Sequence, residues 1–141
     1  MADLAKMLGD NDDIMTSKKD KNTRETIAAL LFKARTDAHL THLKQADKTL
    51  ATHKALSKFY EAVPDLIDTY IETSMGVDDS FCLEEVPESE VITNPIQYFK
   101  DLYNAIQEAR GVVKESFIQN QIDTMQELIA HTLYRLKNIT T

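Results

Sequence analysis

Apolar residues recur at helical spacing through most of this chain and hardly anywhere in alternation. Ile27, Leu30, Leu31, Ala34 and Ala38 fall on one helix face. They predict a first helix over about 22–44. Asn22 followed by Glu25 has the residue types of a helix start in which side chain and backbone cap one another. Gln45, Ala46 and Asp47 then read as a turn. Leu50, Leu56, Phe59, Tyr60, Val63, Ile67 and Ile71 predict a second helix over about 48–74. Pro64 lies inside it, where a proline removes a hydrogen bond and clashes one turn back. The apolar pattern stays in phase beyond it, so a kink near 60–64 is expected rather than a stop. Gly76 is expected to end this helix as the residue just past its cap.

Asn94–Pro95 marks the next start, because proline suits a first turn. Ile96, Phe99, Leu102, Tyr103 and Ile106 predict a third helix over about 95–111. Phe117, Ile118, Ile122, Met125, Leu128, Ile129, Leu133 and Leu136 predict a fourth over about 114–138. The acidic stretch 77–93 between the second and third helices is too long for a tight turn and has room for one short helix. The five tyrosines suit boundaries between a helical core and its polar rim. Residues 1–21 read as a mobile tail with room for a short helix at 2–8. The expected architecture is all-α: a four-helix bundle over 22–141 with a long crossover between the second and third helices.

Composition agrees. A chain of 141 residues fits one domain with a real core. Three glycines and three prolines are too few for a turn-rich all-β fold. A net charge of −7 opposes binding of nucleic acid by the surface as a whole. Only Lys18, Lys19, Lys21 and Arg24 form a basic cluster, so any DNA contact belongs there. Cys82, the single cysteine, cannot form an intramolecular disulfide, which fits a reducing compartment. There is no basic, apolar leader and no apolar run long enough for a bilayer, so a soluble, cytoplasmic protein is expected. Phosphate-binding glycine loops, Ser-His-Asp signals and paired-cysteine zinc signals are missing, which leaves nucleotide binding and nucleophilic hydrolysis without support.

One spacing carries chemistry. His53, Asp68 and Glu72 lie in THKALSKFYEAVPDLIDTYIET. Asp68 and Glu72 are i,i+4 and share a face. His53 is fifteen residues earlier, roughly 22 Å along a helix axis. One helix cannot bring all three onto one ion. Two antiparallel copies could, with His53 of one beside Asp68 and Glu72 of the other. Mixed imidazole and carboxylate donors suit iron, manganese or zinc. His39 and His42 add imidazoles near the end of the first helix. Glu127 and His131 are also i,i+4, one residue too far apart for the Glu-x-x-His pair of a site inside one bundle.

At His53, Asp68 and Glu72 the sequence resembles the Dps-like miniferritins of the ferritin-like superfamily, including members encoded by tailed phages. DLIDTYIE looks like that family's stretch carrying the Asp and Glu of a ferroxidase site, and the order of helices over about 22–138 follows the family. The resemblance implies a ferritin-like bundle that binds and oxidises ferrous iron between subunits. It implies His42 and His53 from one subunit and Asp68 and Glu72 from its twofold mate, with His39 and Asp65 as substitutes. A shell of twelve subunits storing ferric mineral and protecting DNA is implied too. His42 stands eleven positions before His53, where twelve is usual. Ser57 stands where the family often has an acid, no Trp accompanies the first-helix histidine, and Pro64 is unusual. Ser57 and Pro64 favour the alternative, a non-enzymatic ferritin-like phage structural or host-interaction protein that has lost tight iron binding; the His53–Asp68–Glu72 spacing opposes it. A third idea is a helical adaptor whose acidic crossover recognises a partner.

Overall fold

The computed structural model describes residues 22–44 and 49–139. The tail with Lys18, Lys19 and Lys21, and most of the expected turn after the first helix, lie outside them. Four α-helices account for most of the described chain: α1 (Arg24–Lys44), α2 (Leu50–Val77), α3 (Pro95–Ala109) and α4 (Ser116–Asn138). A single 3-10 turn, Arg110–Val112, follows α3. Among the described residues there is no strand.

The apolar stripes read from the sequence make the core. Ile27, Leu30, Leu31, Leu56, Phe59, Val63, Ile67, Phe99, Leu102, Ile106, Ile118, Ile122, Met125 and Ile129 are buried together. Phe59 of α2 and Phe99 of α3 meet edge to face, ring centroids 4.9 Å apart, a favoured aromatic geometry. Leu50 and Phe117 depart from the expected faces and are largely exposed. Tyr70 and Tyr98 are not rim residues but fully buried. Each hydroxyl is satisfied: Tyr70 donates to the Arg24 carbonyl at 2.7 Å, and Tyr98 to Asp37 Oδ2 at 2.6 Å.

Helix ends follow local chemistry more closely than expected residue types. Thr23 and Thr26 cap the start of α1 reciprocally, each hydroxyl accepting from the other's backbone N–H at 3.3 and 3.0 Å. Glu25 turns outward instead and accepts the backbone N–H of Cys82 at 2.9 Å. Thr49 caps α2 by accepting from the Thr52 N–H at 3.1 Å. Asn94 caps α3 ahead of Pro95, accepting from Gln97 N–H at 3.2 Å. Helix α2 runs continuously over Pro64 and ends at Val77. Gly76 therefore lies inside its last turn, and the cap is Asp78, whose N–H donates to the Ser74 carbonyl. The helix overruns the glycine because that bond extends the ladder with Gly76 in helical backbone. A methyl group on Gly76 would meet nothing within 4 Å. Gly76→Ala is expected to stabilise the fold by about 0.5–1 kcal/mol, measured by urea unfolding, because glycine loses more backbone entropy in a helix.

The connection 78–94 contains no helix; it lies along α1. Cys82 is bonded to Glu25 at the start of α1, Glu90 N–H to Asp37 at 2.8 Å, and Ile92 N–H to Thr41 Oγ1 at 2.7 Å near its end. The strap thus covers about 24 Å of α1, at the helical rise. It replaces regular structure with side-chain acceptors on α1. Phe81 and Ile92 anchor it in the core. Helix α1 packs against α2 and α3, and α4 against α2 and α3. With the strap on a further side, α1 stays open to solvent mainly along the line of Arg35, His39 and Leu43, and apolar and charged residues share its wide buried face.

Candidate functional site

Helices α1 and α2 are antiparallel, so the end of one lies beside the start of the other. His42 sits in the last turn of α1 and His53 in the first turn of α2. Their rings stack with centroids 3.8 Å apart and planes 27° from parallel. His42 also meets Tyr60 edge-on at 5.3 Å, and His39 stacks on the same tyrosine at 4.2 Å. The four rings form one partly exposed row. His42 Nδ1 lies 3.2 Å from the His53 carbonyl oxygen. A carbonyl only accepts, so Nδ1 donates and Nε2 of the neutral ring keeps its lone pair. That is the arrangement in which a second partner orients a metal-binding imidazole.

Imidazole lone pairs lie in the ring plane. Two nearly parallel stacked rings do not aim them at one point, so one shared ion requires a ring to turn. Among the described residues, no three His, Cys, Asp or Glu side chains stand close enough together to hold an ion. Asp68 and Glu72 are exposed on the outer face of α2, toward its far end, and so is Asp65. Ser57 donates to the Lys54 carbonyl at 3.1 Å in its own helix. Glu127 lines a shallow groove with Tyr103 and Asp123. Arg24, grouped by sequence with the tail lysines, is held instead by Glu115 at 2.8 Å and Asp78 at 3.5 Å. Its hydrogen bond keeps the Glu115 carboxyl below the usual carboxylate range. Asp78 is lowered chiefly by hydrogen bonds from the Ser80 hydroxyl and N–H.

The polar cluster that sequence reasoning missed is inside the bundle. Lys33 and Asp37, both fully buried, pair at 2.6 Å. Lys33 Nζ also donates to Glu90 at 2.8 Å. Asp37 Oδ2 accepts from Lys33 and Tyr98, and Oδ1 from the Glu90 N–H. The Asp37 carbonyl accepts from Thr41 Oγ1, which in turn takes the Ile92 N–H. The cluster joins α1, the strap and α3, with every Asp37 oxygen used. The signal was present: Lys33 and Asp37 are i,i+4 and fall in phase with Leu30, Ala34 and Ala38.

Residues 42–136 match a family described as a family of unknown function, DUF5856. The chain belongs to this family. The matched stretch begins at His42 and takes in His53, Asp68, Glu72, the strap and most of α4. No curated protein and no solved structure matches the chain. No helix among the described residues is long and apolar enough to cross a membrane.

Proposed function

We propose that this chain is a ferritin-like, Dps-like protein that takes ferrous iron as substrate between two copies and oxidises it with oxygen or peroxide. The observation that carries the reading is the juxtaposition of His42 and His53, with Nε2 of His42 free and the remaining donors, Asp68 and Glu72, exposed on the same helix as His53. The α1–α2–α4–α3 ring of contacts and the lengthwise strap support the ferritin-like part. They suit a bundle in which α2 and α3 run the same way and need a long connection. With one ring turned out of the stack, His42 and His53 bind the ion from one copy. Asp68 and Glu72 of the other neutralise it and favour the more highly charged ferric product. Each iron gives up one electron to the oxidant, and storage of the ferric product in a twelve-subunit shell belongs to the same proposal. DNA protection would fall to Lys18, Lys19 and Lys21.

Ferrous iron added to the apo-protein is expected to turn ferric faster than in buffer, followed by absorbance. Asp68→Ala/Glu72→Ala is expected to bring that rate to background. Equal rates for parent and variant would overturn the proposal. The second reading, a non-enzymatic ferritin-like phage structural or host-interaction module, is favoured by Ser57, whose hydroxyl is spent within its own helix. It predicts background rates for both proteins.

A further inference from the structure

The strap leaves a stretch of itself outside the bundle. It is tied at Cys82, whose N–H donates to Glu25 at 2.9 Å, and again at Glu90, whose N–H donates to Asp37 at 2.8 Å. Those ties lie about 18 Å apart along α1 at the helical rise. The chain between them, if extended, could span about 26 Å. The slack bows outward. Leu83, Glu84, Glu85, Val86 and Glu88 are all exposed. No backbone N–H from Leu83 to Ser89 is bonded to a described residue. Glu84, Glu85 and Glu88 form no ion pair with a described residue either. Apolar side chains set among unpaired carboxylates suit a partner that brings both positive charge and hydrocarbon.

The same chain carries such a segment. Its tail meets the described residues at Asn22, just ahead of Glu25, and so arrives at the first tie of the strap. The last residues of that tail read Ser17, Lys18, Lys19, Asp20 and Lys21. We infer that the acidic bow of the strap docks residues 17–21 of its own chain, laid antiparallel, with Lys18, Lys19 and Lys21 against Glu84, Glu85 and Glu88. The lysine stems cover Leu83 and Val86 while their ammonium groups reach the carboxylates, as long basic side chains do on apolar surface. Turned back at Asn22, the tail brings Lys21 to Glu84 first, and Lys19 and Lys18 to Glu85 and Glu88 next. Its own acids, Asp10, Asp12 and Asp13, fall past Glu88 and do not oppose the contact. Exposed ion pairs are weak one by one. The tether decides the occupant: lysines held this close to the strap meet it at a far higher effective concentration than a free partner in dilute solution. The DNA role proposed above falls to the same three lysines, so strap and polyanion compete for them, and the contact holds that role in check.

Trypsin cuts after these lysines, and mass spectrometry follows release of the fragments that begin at Asp20 and Asn22. At low salt Glu84→Gln/Glu85→Gln/Glu88→Gln is expected to be cut roughly tenfold faster than the parent, because cleavage follows the population of the open form. High salt is expected to bring the parent up to the variant, whose own rate stays the same, since the pairs are screened. Circular dichroism confirms that both proteins are equally helical. In a mixture of isotope-labelled and unlabelled chains, a carbodiimide is expected to join the lysines to the three glutamates within single copies. Equal cleavage of parent and variant at low salt, or cross-links running between copies, would overturn the inference. Neither measurement uses iron or DNA, so this contact and the function proposed above can each fail without the other.

Discussion

Asp37→Ala is expected to lower folding stability by about 3–5 kcal/mol, the loss that follows when one partner of a buried ion pair is removed. Asp37 is fully buried, and its side chain accepts from Lys33, Tyr98 and the Glu90 N–H. Alanine leaves the buried Lys33 ammonium with Glu90 alone, and it leaves a tyrosine hydroxyl and a backbone N–H without their acceptor. Urea unfolding measures the loss. Lys33→Met/Asp37→Leu should be milder than Asp37→Ala, because the charge left stranded is removed as well. A double variant at least as unstable as the single would show that the cluster acts through packing rather than through charge.

Alkaline unfolding is the second large effect. Burial pulls the Lys33 pKa down, but hydrogen bonds and charges from Asp37 and Glu90 outweigh it and leave the value above the ordinary 10.5. For a lysine raised on folding, the stabilisation is complete below 10.5 and is lost as pH climbs through the folded value. Tyr98 is pushed up by burial and then by the Asp37 charge; Tyr70 is pushed up by burial. Both hold their protons in the fold past the ordinary tyrosine value of 10, so the unfolded chain gains stability by releasing them. All three groups act in one direction, and stability is expected to fall steadily above about pH 10, near the ordinary tyrosine value. The tyrosinate absorbance contributed by Tyr70 and Tyr98 should appear only as helicity is lost. If all the tyrosines ionised while the helices remained intact, the buried hydroxyls would be misassigned.

The helices were legible because their inner faces repeat with a helical period; Ile27 to Ala38 and Ile118 to Ile129 entered the core as read. Boundaries were less legible. Thr23 and Thr26 made the cap that Asn22 and Glu25 seemed to offer, because a threonine pair can satisfy both N–H groups and frees Glu25 for the strap. Gly76 looked like a stop because glycine tolerates left-handed backbone, yet nothing forces it there. The strap had no periodicity to betray its path; its bonds go to side chains on α1, which no pattern within 78–94 records. Of the candidate site, the meeting of His42 and His53 could be anticipated from an antiparallel hairpin. Whether Asp68 and Glu72 join them depends on a second chain, and one chain's helical period does not encode that contact directly.

The lengthwise strap also has a consequence for synthesis. The ribosome releases α1 and α2 first, but the groups that complete the Lys33–Asp37 cluster, Glu90, Ile92 and Tyr98, arrive some fifty to sixty residues after their α1 partners. Until then the nascent hairpin carries a charged pair and an apolar flank with no cover. The first half of the chain therefore meets the partners of its buried charges only once the strap and the start of α3 are laid down.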